Sequence, residues 1–424
     1  MANAFNKEER IAFENLLEGF QDALILSRNV AIYQTDMSEM ERAADTIWRP
    51  QPYISQSFNG MDQSANFKDN TQLAVPATLG FSKAVPWIMD AKQLRDALQE
   101  NRLLESAKQK LASDINVALN NVAALQGTLV VKRTTSASGY DDVALAEAIF
   151  NEQGVNSAER AIALSTRDYN GMASNLAARA YIAPGSMPSD AYKKSYVGVV
   201  ASFDTFKMDY SPRLVAATAT GVTINGANQY YTPKAVTTAN TGETANVDNR
   251  YQTIAITVGA GTVKAGDAFT IANVNATHHI TKQDTGQLKT YRIIAIATGG
   301  GGTGTVVISP PIISGGGNTD AELQYQNVTA TPAAGAAITF LNTTTAAVNP
   351  FWQRDALEIL PGHYAVPEDA GVAVMRASTD QGIELVLSKF FDIHTLKTKF
   401  RVDTLFGVVN KQPEMTGIML FGQA

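Results

Sequence analysis

The stretch DAKQLRDALQENRLLESAKQKLASDINVALNNVAAL, Asp90 to Leu125, decides how the rest of the chain is read. Neither Gly nor Pro interrupts the sequence between Pro86 and Gly127, and the apolar residues recur at helical spacing. Leu94, Leu98, Leu104, Leu111, Ile115, Ala118, Leu119, Val122 and Leu125 form one stripe, with Arg95, Glu100, Arg102, Lys108, Lys110 and Asp114 mostly off it. Asp90 with Gln93 imitates a capping box, and Gly127 stands where helices end in a left-handed residue. A helix of this length spans roughly 50 Å, more than the core of an ordinary domain needs. The spacing therefore predicts a spine on which other parts of the chain, and other subunits, lean.

Composition narrows the function. A chain of 424 residues is long enough for two or three domains. A net charge of −6 and a pI near 5.4 argue against wholesale attraction to DNA, so any contact with nucleic acid is expected to be local and weak. The absence of Cys removes disulfides and thiolate metal sites and fits assembly in a reducing cytosol. MANAFNKEER lacks the basic start and apolar core of a signal peptide, and no apolar run approaches the ~20 residues of a membrane span. A soluble chain with no membrane partner, not exported by that route, is expected.

Around the spine the pattern changes several times. Lys7 to Arg28 reads as an amphipathic helix with Phe13, Leu16, Leu17, Phe20 and Leu24 on one face. That face needs cover, from a second subunit or from the chain's own spine. Arg49 to Ser82 turns extended, with Pro50, Pro52 and Pro76 and a polar tip from Asn59 to Asp69, and suggests a long β-hairpin arm. Tyr53, Phe58, Leu73 and Val75 are too few for a core of its own, and an isolated two-stranded hairpin is marginal in water. After the spine, Thr128 to Arg133 reads as a strand, Asp141 to Asn151 as a helix, Ala161 to Ser165 as a buried strand and Asp168 to Ala180 as a second helix. Pro184, Gly185 and Pro188 then mark loops before Tyr196 to Phe206 turns extended again.

At Leu214 the composition shifts. Leu214 to Val348 holds only twelve of the 74 charged residues but 16 of the 31 glycines. Its short β-rich runs (Gln252–Val258, Ala268–Val274, Tyr291–Thr298, Thr305–Ile313, Ala337–Leu341) are separated by turn residues, the signature of a sandwich or small barrel. The α/β composition returns after Asn349, so this all-β domain is inserted rather than appended.

Several pieces in this order resemble one family: TIWRPQ (Thr46 to Gln51), AALQGTLV closing the spine, NVDNR (Asn246 to Arg250), KAGDAFTIA (Lys264 to Ala272), NPFWQRDALEIL (Asn349 to Leu360) and the terminal GIMLFGQA. They are similar to the major capsid proteins of short-tailed phages of the Lederbergvirus group, and the specificity lies in their collinearity over nearly the whole chain. The resemblance implies an α+β Johnson-type capsid fold with an inserted all-β barrel. It divides the chain into an N-terminal arm (1–48), an extended loop (49–86), a peripheral domain with the spine (87–133), an axial domain (134–213 and 349–396), the insertion (214–348) and peripheral C-terminal strands (397–424). It further implies assembly of pentamers and hexamers into an icosahedral procapsid and mature head, with a scaffolding protein, a portal protein and packaged double-stranded DNA as partners, and no cofactor.

Three sets of residues follow as candidate contacts. Phe13, Leu16, Phe20 and Leu24 form the partner face of the arm. Asn59, Lys68 and Asp69 belong to the extended loop, expected to reach a neighbour in the same capsomer; the relatives are not of the cross-linking kind, so Lys68 is expected to be a solvated loop lysine. In the relatives a charged loop ahead of NVDNR pairs across capsomers. Here that loop reads TTANTGETANV (Thr237 to Val247), leaving Glu243 near the tip with Asp248 and Arg250 at its base.

Enzymatic signatures are weak. Gly299, Gly301 and Gly304 satisfy G-x-G-x-x-G, but β-type residues rather than a helix follow, so a hairpin loop is expected. His278 and His279 are adjacent and on a strand would face opposite ways, while His363 and His394 lack ligand-spaced companions. Asp141 and Asp142 read as helix N-terminal charge, and no Ser/His/Asp nucleophile context appears. No enzyme is expected. The alternative reading is a carbohydrate-binding or adhesive structural protein using the inserted β-domain, though its large rings are mainly Tyr and include no Trp.

Overall fold

A helical pattern without a breaker yields a helix: Ala97–Gln126 is one helix of 30 residues. The computed structural model describes residues 7–33, 46–64, 66–90, 97–178, 197–365 and 372–424. Its principal helices are α1 (Lys7–Ala23), α2 (Ala97–Gln126), α3 (Tyr140–Gln153), α4 (Thr166–Ala178) and α5 (Asp320–Tyr325). Leu104, Leu111, Ile115 and Leu119 are buried along α2, while Glu105 and Lys110 are exposed. Leu125 departs from its predicted place: it is exposed, and Ala123 and Ala124 are the buried residues of the last turn. Asp90 is the last residue of a strand rather than part of the helix. Gln93, Leu94 and Arg95, and the loop markers Pro184, Gly185 and Pro188, lie outside the described residues.

The end of α2 corrects another expectation. Gly127 is absent from the residues with positive φ. Its lack of a side chain serves close approach instead, because a Cβ there would sit 2.8 Å from the Ala123 carbonyl and 3.2 Å from Gly417. The terminal carbonyls are met by a distant cation: Arg292 Nη1 donates to Ala124 O at 3.2 Å and Gly127 O at 3.3 Å. A guanidinium at a helix C-terminus satisfies orphan carbonyls and opposes the negative end of the dipole.

The chain forms two compact units. The first comprises residues 1–47, 77–120 and 358–409. Its six-stranded sheet runs in the order Ala31–Ile32, Leu357–Gly362, Lys397–Asn410, Glu384–Asp392, Ala373–Ser378, with Phe81–Asp90 also paired to Lys397–Asn410. That last pairing revises the extended loop, because Phe81–Asp90 is no hairpin limb. It runs antiparallel to the C-terminal strand from Phe81↔Phe406 to Asp90↔Lys397, with Phe81 stacked on Phe406 and Trp87 on Phe400. Alternate residues from Phe81 to Trp87 are shielded, and Met89 is buried, as a half-covered strand requires. Pro86 has no N–H to donate and is tolerated at such a marginal position.

The second unit comprises residues 48–76, 121–357 and 410–424. Its central sheet runs Leu129–Lys132, Thr416–Leu420, Asn349–Gln353, Arg160–Ser165, Phe203–Met208, Val199–Val200. Helices α3 and α4 contribute Val143, Ala146, Phe150, Tyr169 and Met172 to a core shared with Ile162, Leu164, Phe203, Phe351 and Met419. The FWQRDALEIL segment, read as helix or strand, resolves into strands Asn349–Gln353 and Leu357–Gly362 joined by a short turn.

The inserted segment is a barrel. Its strands run Thr223–Ile224, Gln252–Val258, Gly302–Ser309, Asp284–Thr298, Ala268–Thr277, Ile338–Phe340, and the bridge Thr223↔Ala337 closes the circuit. Ile224, Ile254, Ile256, Phe269, Ile271, Tyr291, Val306 and Ile308 fill it. The glycine run is a hairpin loop between Asp284–Thr298 and Gly302–Ser309. The chain enters and leaves the insertion through one antiparallel pairing, Leu214↔Ala346.

Candidate interaction surfaces

The face of α1 expected to await a partner is already covered by its own chain. Phe13, Leu16, Phe20 and Leu24 are 0–4% exposed. Asn116 on α2 fastens the end of α1, donating to Ala23 O at 3.1 Å and accepting from Leu26 N at 3.3 Å. Gly19 packs so closely on α2 that a Cβ would collide with Lys108. Glu9, buried, pairs with Lys389 at 2.5 Å. The apolar stripe of α1 is thus buried within its own chain and needs no second subunit.

The long loop behaves differently. Its ends are strands, Ile47–Pro50 paired with Ala74–Ala77, and between them the chain is irregular. Gln51 N donates to Leu73 O at 2.9 Å, and Gln51 Nε2 donates to Lys411 O at 2.6 Å. The second limb is held against the insertion. Lys68 Nζ meets Asp320 Oδ1 at 2.5 Å, Thr71 N donates to Gln324 Oε1 at 3.3 Å, and Tyr325 Oη donates to Thr71 O at 2.8 Å. Leu73 packs in a small cluster with Ile313 and Tyr325, and Ala74 forms a parallel bridge with Asp248. Burial and the nearby Tyr53 phenol push Tyr325 up to about 12, so it remains a donor at neutral pH.

Lys68 is exposed, as a solvated loop lysine is, and also pairs with Asp320 of its own chain. Lys68 and Asp69 line a cleft of about 640 Å³ with Phe58, Gln63, Phe67 and Asp320, whereas Asn59 is exposed outside it. The tip presents large apolar groups to solvent: Met61 is fully exposed and Phe67 85% exposed. Spacing alone did not reveal Met61 and Phe67, because isolated apolar residues in a polar run look like chance.

The loop Thr237 to Val247 is a two-stranded ribbon, Val236–Thr238 against Thr244–Asn246, exposed along both strands. Gly242, at φ +88°, makes the tip turn and donates its N–H to Ala239 O at 2.9 Å. Glu243 stands exposed beside it. Asp248 and Arg250 do not share that surface. Arg250, 8% exposed, donates to both Asp248 oxygens at 2.7–3.2 Å and from Nη1 to Asn410 O at 2.9 Å, and stacks over Tyr251 at 5.1 Å. A fork so fully committed inside its own chain fixes the base of the ribbon and leaves only Glu243 as charge at the tip.

Sequence reasoning missed a buried ionic group. Lys289, 1% exposed, pairs with Glu414 at 2.5 Å and donates to Gln153 Oε1 at 3.1 Å. Burial opposes ionisation of Glu414, but Lys289, His279 and a hydrogen bond from Asn327 prevail and hold its pKa at about 2. His279, buried with its ring 3.7 Å from Glu414, is lowered to about 4 by burial, and Lys289 and Lys282 oppose its charge further. His278 and His279 follow the strand Ala268–Thr277 rather than extending it, so strand alternation does not govern them. Asp142 also does more than complement a helix dipole: it is buried, pairs with Arg133 at 2.7 Å and accepts from Ser138 N at 2.7 Å. His363 lies 3.3 Å from Glu384. Among the described residues no group of three or more potential metal ligands occurs, and no helix is long and apolar enough to cross a membrane.

Comparison with known proteins follows the same direction. The family described as P22 coat protein, gene protein 5, matches residues 1–422. The solved CUS-3 coat protein I-domain is 39% identical, covering 30% of this chain and 99% of its own, with a TM-score of 0.23. A structure from Mycobacterium phage Che8 is 7% identical over 93% of this chain and 90% of its own, with a TM-score of 0.45. The capsid structure of cyanophage P-SCSP1u is 10% identical over 94% and 88%, with a TM-score of 0.42.

Proposed function

We propose an assembly mechanism from one premise: the chain belongs to the P22 coat protein family. It is a major capsid protein with the Johnson fold, its copies associate into an icosahedral shell, and its place is the capsid of the virion. In our reading residues 49–77 are the loop that reaches a neighbouring subunit of the same capsomer. The arm is 1–48, the axial domain 134–213 with 349–357 and 410–424, and the insertion 214–348. The strand Phe81–Asp90 joins the peripheral part with the spine and residues 358–409, whose strands share its sheet.

The observation that carries the mechanism is the loop tip. Phe58, Met61 and Phe67 are large, exposed and adjacent to Asp62 and Asp69, a pattern that favours burial against another surface. A repeated contact of this kind makes stability a property of the closed lattice. Glu243, alone at the ribbon tip, is proposed as the charge that meets a neighbouring capsomer. Scaffolding and portal proteins are proposed partners on the strength of the family resemblance. Packaged double-stranded DNA is proposed to touch the shell weakly and without sequence preference, in keeping with the net charge of −6.

The test is deletion of Asn59 to Asp69 with electron microscopy of the purified product. Soluble, folded subunits that build no shells are expected. Shells of normal form and yield would refute the role given to the loop.

A further inference from the structure

Besides its pairing with the first limb, the second limb of the long loop, from Lys68 to Ala74, makes five contacts with the inserted domain. Three of them are side-chain contacts to the single turn-and-a-half of α5: Asp320 to Lys68, Gln324 to Thr71 N, and Tyr325 to Thr71 O. The Thr71 peptide is gripped on both its N–H and its C=O, although no strand ladder exists there. Irregular backbone held this way loses conformational freedom before any partner arrives. The tip itself is organised locally, since Asn66 donates to Gln63 from both its backbone and side-chain nitrogens at 2.9 and 2.7 Å. What the tip lacks is an orientation relative to the body, and that is what α5 supplies.

We propose that α5 of the inserted domain is a latch that orients the long loop in the unassembled subunit, with Tyr325, Gln324 and Asp320 as positioning residues for its docking on a second copy. This rests on the capsid reading above. It gives the insertion a task within its own subunit, separate from any contact its ribbon makes. Because the loop's apolar tip is exposed, an unlatched loop samples many directions, and docking then waits for the competent one. The apparent association constant falls in proportion to the competent fraction. Each neutral hydrogen bond of the latch corresponds to about fivefold in that fraction.

The test compares full-length wild type with Tyr325→Phe, which removes one donor and keeps the ring packed, with Asp320→Lys, and with the exchange Lys68→Asp/Asp320→Lys. Hydrogen–deuterium exchange is read on peptides covering 66–73, with the barrel strands Gln252–Val258 and Gly302–Ser309 as the control for folding. Assembly rate is followed by light scattering. Expected are unchanged barrel protection, exchange at 66–73 faster by about fivefold in Tyr325→Phe, slower assembly in both single variants, and recovery of both readouts in the exchange variant. Unchanged exchange at 66–73 would overturn the latch, as would faster exchange with wild-type assembly rates. Failure of wild type to form shells would refute the capsid reading instead, whatever the exchange pattern.

Discussion

Replacing Glu414 with Gln keeps the shape of a buried side chain and removes one charge. In the wild type that carboxylate lies 2.5 Å from Lys289, a lysine 1% exposed whose other hydrogen-bond acceptor is Gln153. Breaking a buried pair from one side typically costs about 3–5 kcal/mol, chiefly the uncompensated charge left behind. With a urea slope of about 3 kcal/mol/M, the unfolding midpoint should fall by about 1–1.7 M. Fluorescence of buried Trp352, in the same unit, reports the transition. The double variant Lys289→Met/Glu414→Gln should recover much of the loss, since it leaves no orphan cation. A midpoint within about 0.3 M of wild type for Glu414→Gln, or no recovery in the double variant, would refute the reasoning. The pH dependence has a defined sign. Glu414 has a folded pKa depressed to about 2 from 4.5, so its stabilisation is present above pH 4.5 and is lost as pH falls through 2. His279, depressed to about 4 from 6.5, binds its proton more readily unfolded, so stability also declines as pH drops from 6.5 toward 4. Glu414→Gln should abolish the lower part of that acid transition.

Phe20→Asp places a carboxylate at a fully buried position of α1 and should cost more than about 4 kcal/mol, read as loss of exchange protection in Lys7–Ala23 and Phe81–Asp90 of the unassembled subunit. A stable subunit with only an assembly defect would restore the intersubunit reading of that face. Glu243→Lys, at an exposed tip, should change subunit stability by less than about 0.5 kcal/mol yet yield fewer closed shells at low salt, with recovery as salt screens the charge. Wild-type shells at every ionic strength would remove Glu243 from the contact.

The parts of the fold legible in the sequence were those governed by local periodicity or composition. The spine follows from uninterrupted helical spacing, and the insertion from its loss of charge and its short β runs between turns. Long-range partners were not legible. Phe81–Asp90 alternates as a strand should, but only its pairing with residues 397–406 assigns it to the C-terminal sheet. The stripe of α1 was clear, and its cover was not, because one face of a helix fits a neighbour or its own chain equally well in sequence. Asp248 and Arg250 follow the ribbon in sequence, yet a charged pair two residues apart does not disclose that it is spent internally. Lys289 and Glu414 lie 125 positions apart, and each alone looks like an ordinary surface charge.

The pairing of Leu214 with Ala346 makes the insertion look removable, since its two ends lie side by side as neighbouring strands do, about 5 Å apart. Arg292 argues otherwise. Because the strand bearing it caps Ala124 and Gly127, and Lys289 neutralises Glu414, excision is not a neutral deletion. A descendant lacking the barrel must supply new donors for a frayed helix terminus and a substitute for a stranded carboxylate, both in the same step. Loss therefore requires several coordinated replacements, whereas retention requires none.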